Sequence, residues 1–71
     1  MDSREVSKLD GYFKKLFGND RIRVVSPPKV EDSAEVYVGE EFIGLLFVDD
    51  DNEDDERSFN FQMSILAADL D

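Results

Sequence analysis

The first third of the chain repeats its apolar residues with a helical period. Val6, Leu9, Phe13, Leu16 and Phe17 recur at three- and four-residue intervals, with Arg4, Lys8, Gly11 and Lys15 on the opposite side, so residues 3–17 are predicted to form one amphipathic helix. Asp2 or Ser3 can accept from the free amides of the first turn, and Asp2 with Glu5 has capping-box spacing. Lys14 and Lys15 sit where the negative end of the helix dipole favours cations. Gly18-Asn19 ends the helix, because glycine accepts the left-handed conformation that follows a last turn. Gly11 in the interior costs about 1 kcal/mol relative to alanine.

After Asn19 the period falls to two. Residues 22–26 are β-branched and form a short predicted strand, which Pro27-Pro28 ends because proline has no amide to give to a ladder; a proline there also points to a sheet edge. Strands at 34–39 and 42–48 are predicted to pair as a hairpin whose turn residues are Gly39, Glu40 and Glu41; Gly39-Glu40 is a glycine-first turn suited to type II′, and a two-residue loop is either 39–40 or 40–41. With a two-residue loop, alternation places Ala34, Val36 and Val38 on one face with Ile43, Leu45 and Phe47. Glu35, Tyr37, Phe42, Gly44, Leu46 and Val48 then share the other face, where Gly44 leaves room for Tyr37 to lie across it. A three-residue loop would reverse the assignment. Phe59, Phe61, Met63 and Ile65 alternate with Ser58, Asn60, Gln62 and Ser64, giving a half-buried strand over 58–66, and residues 67–71 form a short acidic tail.

The expected fold is therefore a single α+β domain over residues 1–71, with an N-terminal helix on one face of a small antiparallel sheet of three or four strands, in the order α-β-β-β-β. Residues 22–26 are the strand with the weakest signal.

Composition narrows what such a domain can do. A chain of 71 residues is small, and a domain of that size buries only about 60% of the surface its unfolded form exposes. The 41% hydrophobic content and six phenylalanines nevertheless supply a core. There is no Cys, no His and no Trp, so disulfides and zinc, haem or iron–sulfur ligation are not expected, and no cofactor is assigned. No apolar run reaches the roughly 18 residues of a membrane span, and the N-terminus lacks the basic and apolar segments of a signal peptide. A cytoplasmic location with no membrane contact is the expectation.

Leu16-Phe17-Gly18-Asn19 with Ile22-Arg23-Val24, Asp32-Ser33-Ala34-Glu35-Val36-Tyr37-Val38-Gly39, Phe42-Ile43-Gly44 and Ser58-Phe59-Asn60-Phe61-Gln62-Met63 span nearly the whole chain. On these stretches the sequence resembles a family of small acidic alphaproteobacterial proteins known as a domain of unknown function. The resemblance implies a compact α+β domain of bacterial cytoplasmic origin. It brings no activity, cofactor or catalytic residue.

The formal net charge is −10, and it is unevenly spread. Residues 1–29 hold seven basic and four acidic side chains, net +3; residues 30–71 hold Arg57 and 14 acidic side chains, net −13. Lys8, Lys15, Arg21 and Arg23 form a candidate basic face for an acidic partner, against the default that such charges solvate the outside of a helix. Nucleic acid is disfavoured as a partner of so anionic a chain, since phosphate affinity needs a basic footprint. The run Asp-Asp-Asp-Asn-Glu-Asp-Asp-Glu at 49–56 reads as an acidic loop. A calcium loop started at Asp49 puts Asp54 sixth and Asn60 twelfth, and one started at Asp50 puts Asp55 and Phe61 there, so neither has the required glycine and glutamate. No selective metal site is assigned. Weak divalent-cation binding or nucleic-acid mimicry through 49–56 stands as an alternative, charge-based function.

Catalysis is not expected. The carboxylates fall in a run or on solvent faces, and no nucleophile, imidazole or glycine-rich phosphate loop accompanies them. The leading expectation is a non-enzymatic interaction module. Residues 42–48 are apolar on both sides and one helix covers one face, which leaves Tyr37, Phe42, Leu46 and Val48 as the candidate patch for a protein partner or a second copy of the chain. Against it stands the plainer reading that the tail around Leu66 and Leu70 covers these residues.

Overall fold

A computed structural model of the chain describes residues 2–27, 29, 32–49 and 58–70. A helix, α1 (Ser3–Phe17), precedes four strands, β1 (Ile22–Val25), β2 (Ser33–Val38), β3 (Glu41–Asp49) and β4 (Ser58–Met63), and a 3₁₀ turn closes the chain at Ala67–Leu70. The sheet is an antiparallel meander with spatial order β1-β2-β3-β4. The α-β-β-β-β arrangement matches the sequence expectation, and β1 is a full member of the sheet.

Local chemistry sets the ends of α1. The Glu5 N–H donates to Asp2 Oδ1 at 2.8 Å, the N-cap bond that the Asp2–Glu5 spacing anticipates. Gly18 closes the other end with φ 61°, and the Asn19 N–H reaches back to the Lys14 carbonyl at 3.1 Å. Between the caps, Phe13 is buried while Leu16 and Phe17 stay exposed. The apolar stripe therefore enters the core with its middle turns and leaves its last turn in solvent.

The β2–β3 hairpin carries the main departure from simple alternation. Val38 pairs with Glu41 and Tyr37 with Phe42, so the loop is the two residues Gly39-Glu40. The next pair is Val36 with Gly44, followed by Ala34 with Leu46, which makes Ile43 the extra residue of a β-bulge. One inserted residue exchanges the faces of everything beyond it. Leu46 joins Ala34 and Val36 in the core and is only 1% exposed, and Val48 shares its face. Leu45 and Phe47, expected inside, lie on the side away from the helix. Ile43 still packs against the core, as a bulged residue beside Gly44 can.

The core consists of Phe13 from α1, Ile22 and Val24 from β1, Ala34 and Val36 from β2, and Leu46 from β3. Val6, Leu9, Val38, Ile43, Phe59 and Phe61 pack around it. Phe61 crosses β3 to reach the helix, its ring 5.4 Å from that of Phe13. Gly44 makes the crossing possible, since a Cβ there would come within 2.7 Å of the Phe61 ring and 2.5 Å of the Gln62 carbonyl oxygen. The ring laid over Gly44 is thus Phe61 on the helix side, not Tyr37 on the other. β4 ends at Met63, short of the expected 66, and Ile65 is exposed beyond it.

Candidate interaction surface

One face of the sheet receives α1; the other has no element laid across it among the described residues. On this open face Arg23, Tyr37 and Phe42 stand in a row across β1, β2 and β3, because Arg23 pairs with Tyr37 and Tyr37 with Phe42. The Tyr37 and Phe42 rings meet edge to face at 5.7 Å, and the Arg23 guanidinium carbon lies 4.9 Å from the Tyr37 ring centre, within cation–π range. Arg23 Nε–H also donates to the Gly39 carbonyl at 2.8 Å, which fixes the guanidinium over the ring. The Tyr37 hydroxyl donates to Glu35 Oε1 at 3.0 Å. That acceptor pushes the phenol above its ordinary value of 10.0, helped by desolvation and the Glu35 charge and opposed by Arg23.

Leu45 and Phe47 continue the apolar strip along β3. Across the ladders they face Glu35 and Ser33 of β2 and Gln62 and Asn60 of β4, so the strip has polar margins. Phe42 is 50% and Phe47 38% exposed, while Leu45 and Tyr37 are half-buried. At one end, Phe42, Leu45 and Gln62 form a shallow cleft of about 440 Å³ with Glu41 and with Leu66 and Asp69 of the C-terminal segment. The tail therefore flanks the strip without covering it; Leu66 and Leu70 are themselves exposed.

Of the four residues expected to form a patch, Tyr37 and Phe42 are brought together on the open face, whereas Leu46 and Val48 belong to the helix side. The bulge at Ile43 accounts for the difference, and it puts Leu45 and Phe47 in their place. The isolated glycine at 44 in an apolar strand was the available signal, since such a glycine often marks a bulge.

The four cations of the candidate basic face are also divided. Arg21 and Arg23 gather at the hairpin turn: the Arg21 guanidinium packs so closely on Gly39 that a Cβ there would meet it at 2.7 Å. Lys8 lines a depression with Leu9, Tyr12 and Phe59, and Lys15 lies beside Tyr12 and Leu16.

Asp10 had no assigned part and has a structural one. Its Oδ1 accepts the Val24 N–H at 2.9 Å and its Oδ2 pairs with the Lys14 ammonium, so one carboxylate ties α1 to β1. Desolvation alone would raise its pKa. The bonds from Lys14 and Val24 and the nearby positive charges outweigh that and hold it below the ordinary 3.8. Among the described residues, no group of three or more His, Cys, Asp or Glu side chains could hold a metal ion, and no helix is long and apolar enough to cross a membrane. The acidic run beyond Asp49, residues 50–56, lies outside the described residues, and with it the cation-binding and mimicry alternative.

In comparison with known proteins, a family model described as "Protein of unknown function (DUF3126)" matches residues 5–69. No curated protein and no solved structure matches the chain.

Proposed function

The chain belongs to the DUF3126 family, and from the shape of its open sheet face we propose that it is a non-enzymatic protein-interaction module of the bacterial cytoplasm. The observation that carries the reading is that α1 covers one face while the opposite face keeps Phe42 and Phe47 half in solvent, with Leu45 and Tyr37 between them. A contiguous apolar strip with a polar margin is the anatomy of a docking surface. Arg23 and Tyr37 add two residue types that carry much of the energy at protein interfaces. Both are held in place by Gly39 and Glu35, so little side-chain freedom is lost when a partner closes over them.

Affinity capture from lysate of the source cells tests this with three forms in parallel: the wild type, Phe42→Lys with Phe47→Lys, and Lys8→Glu on the helix. Circular dichroism first verifies that each is folded. Proteins held by the wild type and by Lys8→Glu should be lost from the double variant. If all three retain the same set, the open face is not the docking surface.

A further inference from the structure

We infer that the open sheet face takes an amphipathic helix of a partner protein, acidic along one flank, whose carboxylates seat on Arg21 and Arg23. The inference rests on the docking role proposed for that face and names the chemistry of its partner.

Both arginines are set around one residue. The Gly39 N–H donates to the Arg21 carbonyl at 2.8 Å, and a Cβ on Gly39 would meet the Arg21 guanidinium at 2.7 Å. Arg23 Nε–H donates to the Gly39 carbonyl at 2.8 Å, and its guanidinium carbon is 4.9 Å from the Tyr37 ring centre. Two guanidinium groups are thus brought to the same glycine, on exposed residues, and among the described residues no ion pair joins either to a carboxylate. The chain has 18 acidic side chains against 8 basic ones, yet these two neighbouring cations have no counter-ion within it. The bond to Gly39 uses one guanidinium N–H of Arg23 and leaves the others to meet a carboxylate, for which the planar fork is suited.

The face is polarised across its strands. The arginines lie on the β1 side, the apolar residues Phe42, Leu45 and Phe47 run along β3, and Asn60 and Gln62 form the β4 side. Asp20 and Glu40 are exposed beside the arginines, and Glu35 stands on β2, two residues farther from the turn than Tyr37. Glu41 and Asp69 line the cleft by Gln62. An acidic flank therefore fits over β1 and is repelled from the cleft side.

Shape selects a helix. A flat sheet face is covered by a helix or a second sheet, as α1 covers the other face here, whereas an extended segment pairs at an edge. β1 and β3 are two strand spacings apart, roughly 10 Å, and a helix with its side chains is about 10–12 Å across. Seated along β3, such a helix brings one flank over Arg21 and Arg23 while its apolar stripe meets Phe42, Leu45 and Phe47. A nucleic acid does not fit, because a chain of net charge −10 repels a long polyanion, whereas an amphipathic helix confines its charge to one flank.

NMR titration of the full chain tests this with two capped peptides of about 18 residues, long enough to form helix. One has a leucine stripe with glutamates along one flank and glutamines elsewhere; the other has glutamine in place of every glutamate. The glutamate peptide should shift the amides of Arg23, Tyr37, Phe42, Leu45 and Phe47 saturably, and the glutamine peptide should bind there about tenfold more weakly. Arg21→Gln with Arg23→Gln should bring the glutamate peptide down to the affinity of the glutamine one, and Arg21→Gln alone, which keeps the Arg23 contacts, should lose part of the difference. Phe42→Ala with Phe47→Ala should weaken both peptides alike. Circular dichroism checks that each variant is folded. Equal affinity of the two peptides for the wild type, lost together in the Phe42→Ala, Phe47→Ala form, overturns the acidic partner and keeps the docking surface. Binding that this double variant leaves intact, or no saturable shift on the face with either peptide, overturns both.

Discussion

At β1 the Ile22 and Val24 amides are taken up by the chain itself, through the Asn19 carbonyl and the Asp10 carboxylate, and the helix that supplies Asp10 lies against the strand. At β4 the attachment is of another kind: the strand is held inward by its ladder to β3 and by Phe61 reaching over Gly44 to Phe13, while its outer margin carries only neutral side chains. Both strands complete the same core, yet one is closed with polar bonds and the other is fixed by an aromatic ring. The two strands should therefore be loosened by different substitutions, β1 by loss of a polar bond and β4 by loss of packing.

That contrast depends on β3 turning Leu46 rather than Leu45 toward the helix. Leu46→Ala should cost about 2–5 kcal/mol in urea unfolding, as for other buried leucines, and Leu45→Ala under about 1 kcal/mol beyond loss of its half-buried contact. Equal costs would remove the bulge and with it the separation of the two faces. Next in size is Gly44→Ala. The added methyl meets a backbone carbonyl and the Phe61 ring, so a destabilisation of about 1–3 kcal/mol is expected, together with faster amide exchange in β4 than in β1. A uniform increase across both outer strands would show that β4 is not held in the way described.

Asp10→Ala strikes the opposite edge. Loss of the acceptor for the Val24 N–H should cost about 1 kcal/mol, the carboxylate being partly exposed, and should release protection at Val24 while leaving β4 unaffected. The smallest effect is on pH dependence. Because the fold holds the Asp10 carboxyl below 3.8, the folded state binds that proton less readily than the unfolded chain. Its contribution is complete above the ordinary value and is lost as pH falls through the folded one. Acid unfolding of Asp10→Asn should therefore show a shallower loss of stability below about pH 4 than the wild type.

The helix was legible down to its caps, since Asp2, Glu5 and Gly18 act within one turn of where they stand in sequence. The hairpin was legible too, while its loop was narrowed to Gly39–Glu41 and the pairing of Val38 with Glu41 places it at Gly39-Glu40. What could not be read by alternation was the face of β3, because Phe42, Ile43, Leu45, Leu46, Phe47 and Val48 are all apolar and either parity gives a plausible core. A single bulge decides it, and beside it Phe61 occupies the space over Gly44, a contact between residues far apart in the chain. Tyr37 and Phe42 were identified as surface neighbours because their pairing lies on the turn side of the bulge. Leu46 and Val48 lie beyond it. The Asp10–Val24 bond had no local signature either, as an aspartate on a charged helix looks like any solvated residue until the helix is placed beside β1.

Residue-resolved hydrogen exchange of the wild type beside Asp10→Ala and Gly44→Ala compares the two outer strands most directly. Asp10→Ala should release the Val24 amide and leave β4 protected, and Gly44→Ala should speed exchange in β4 and leave Val24 protected. Both strands loosening together in either variant contradicts the division between a strand closed by polar bonds and one fixed by an aromatic ring.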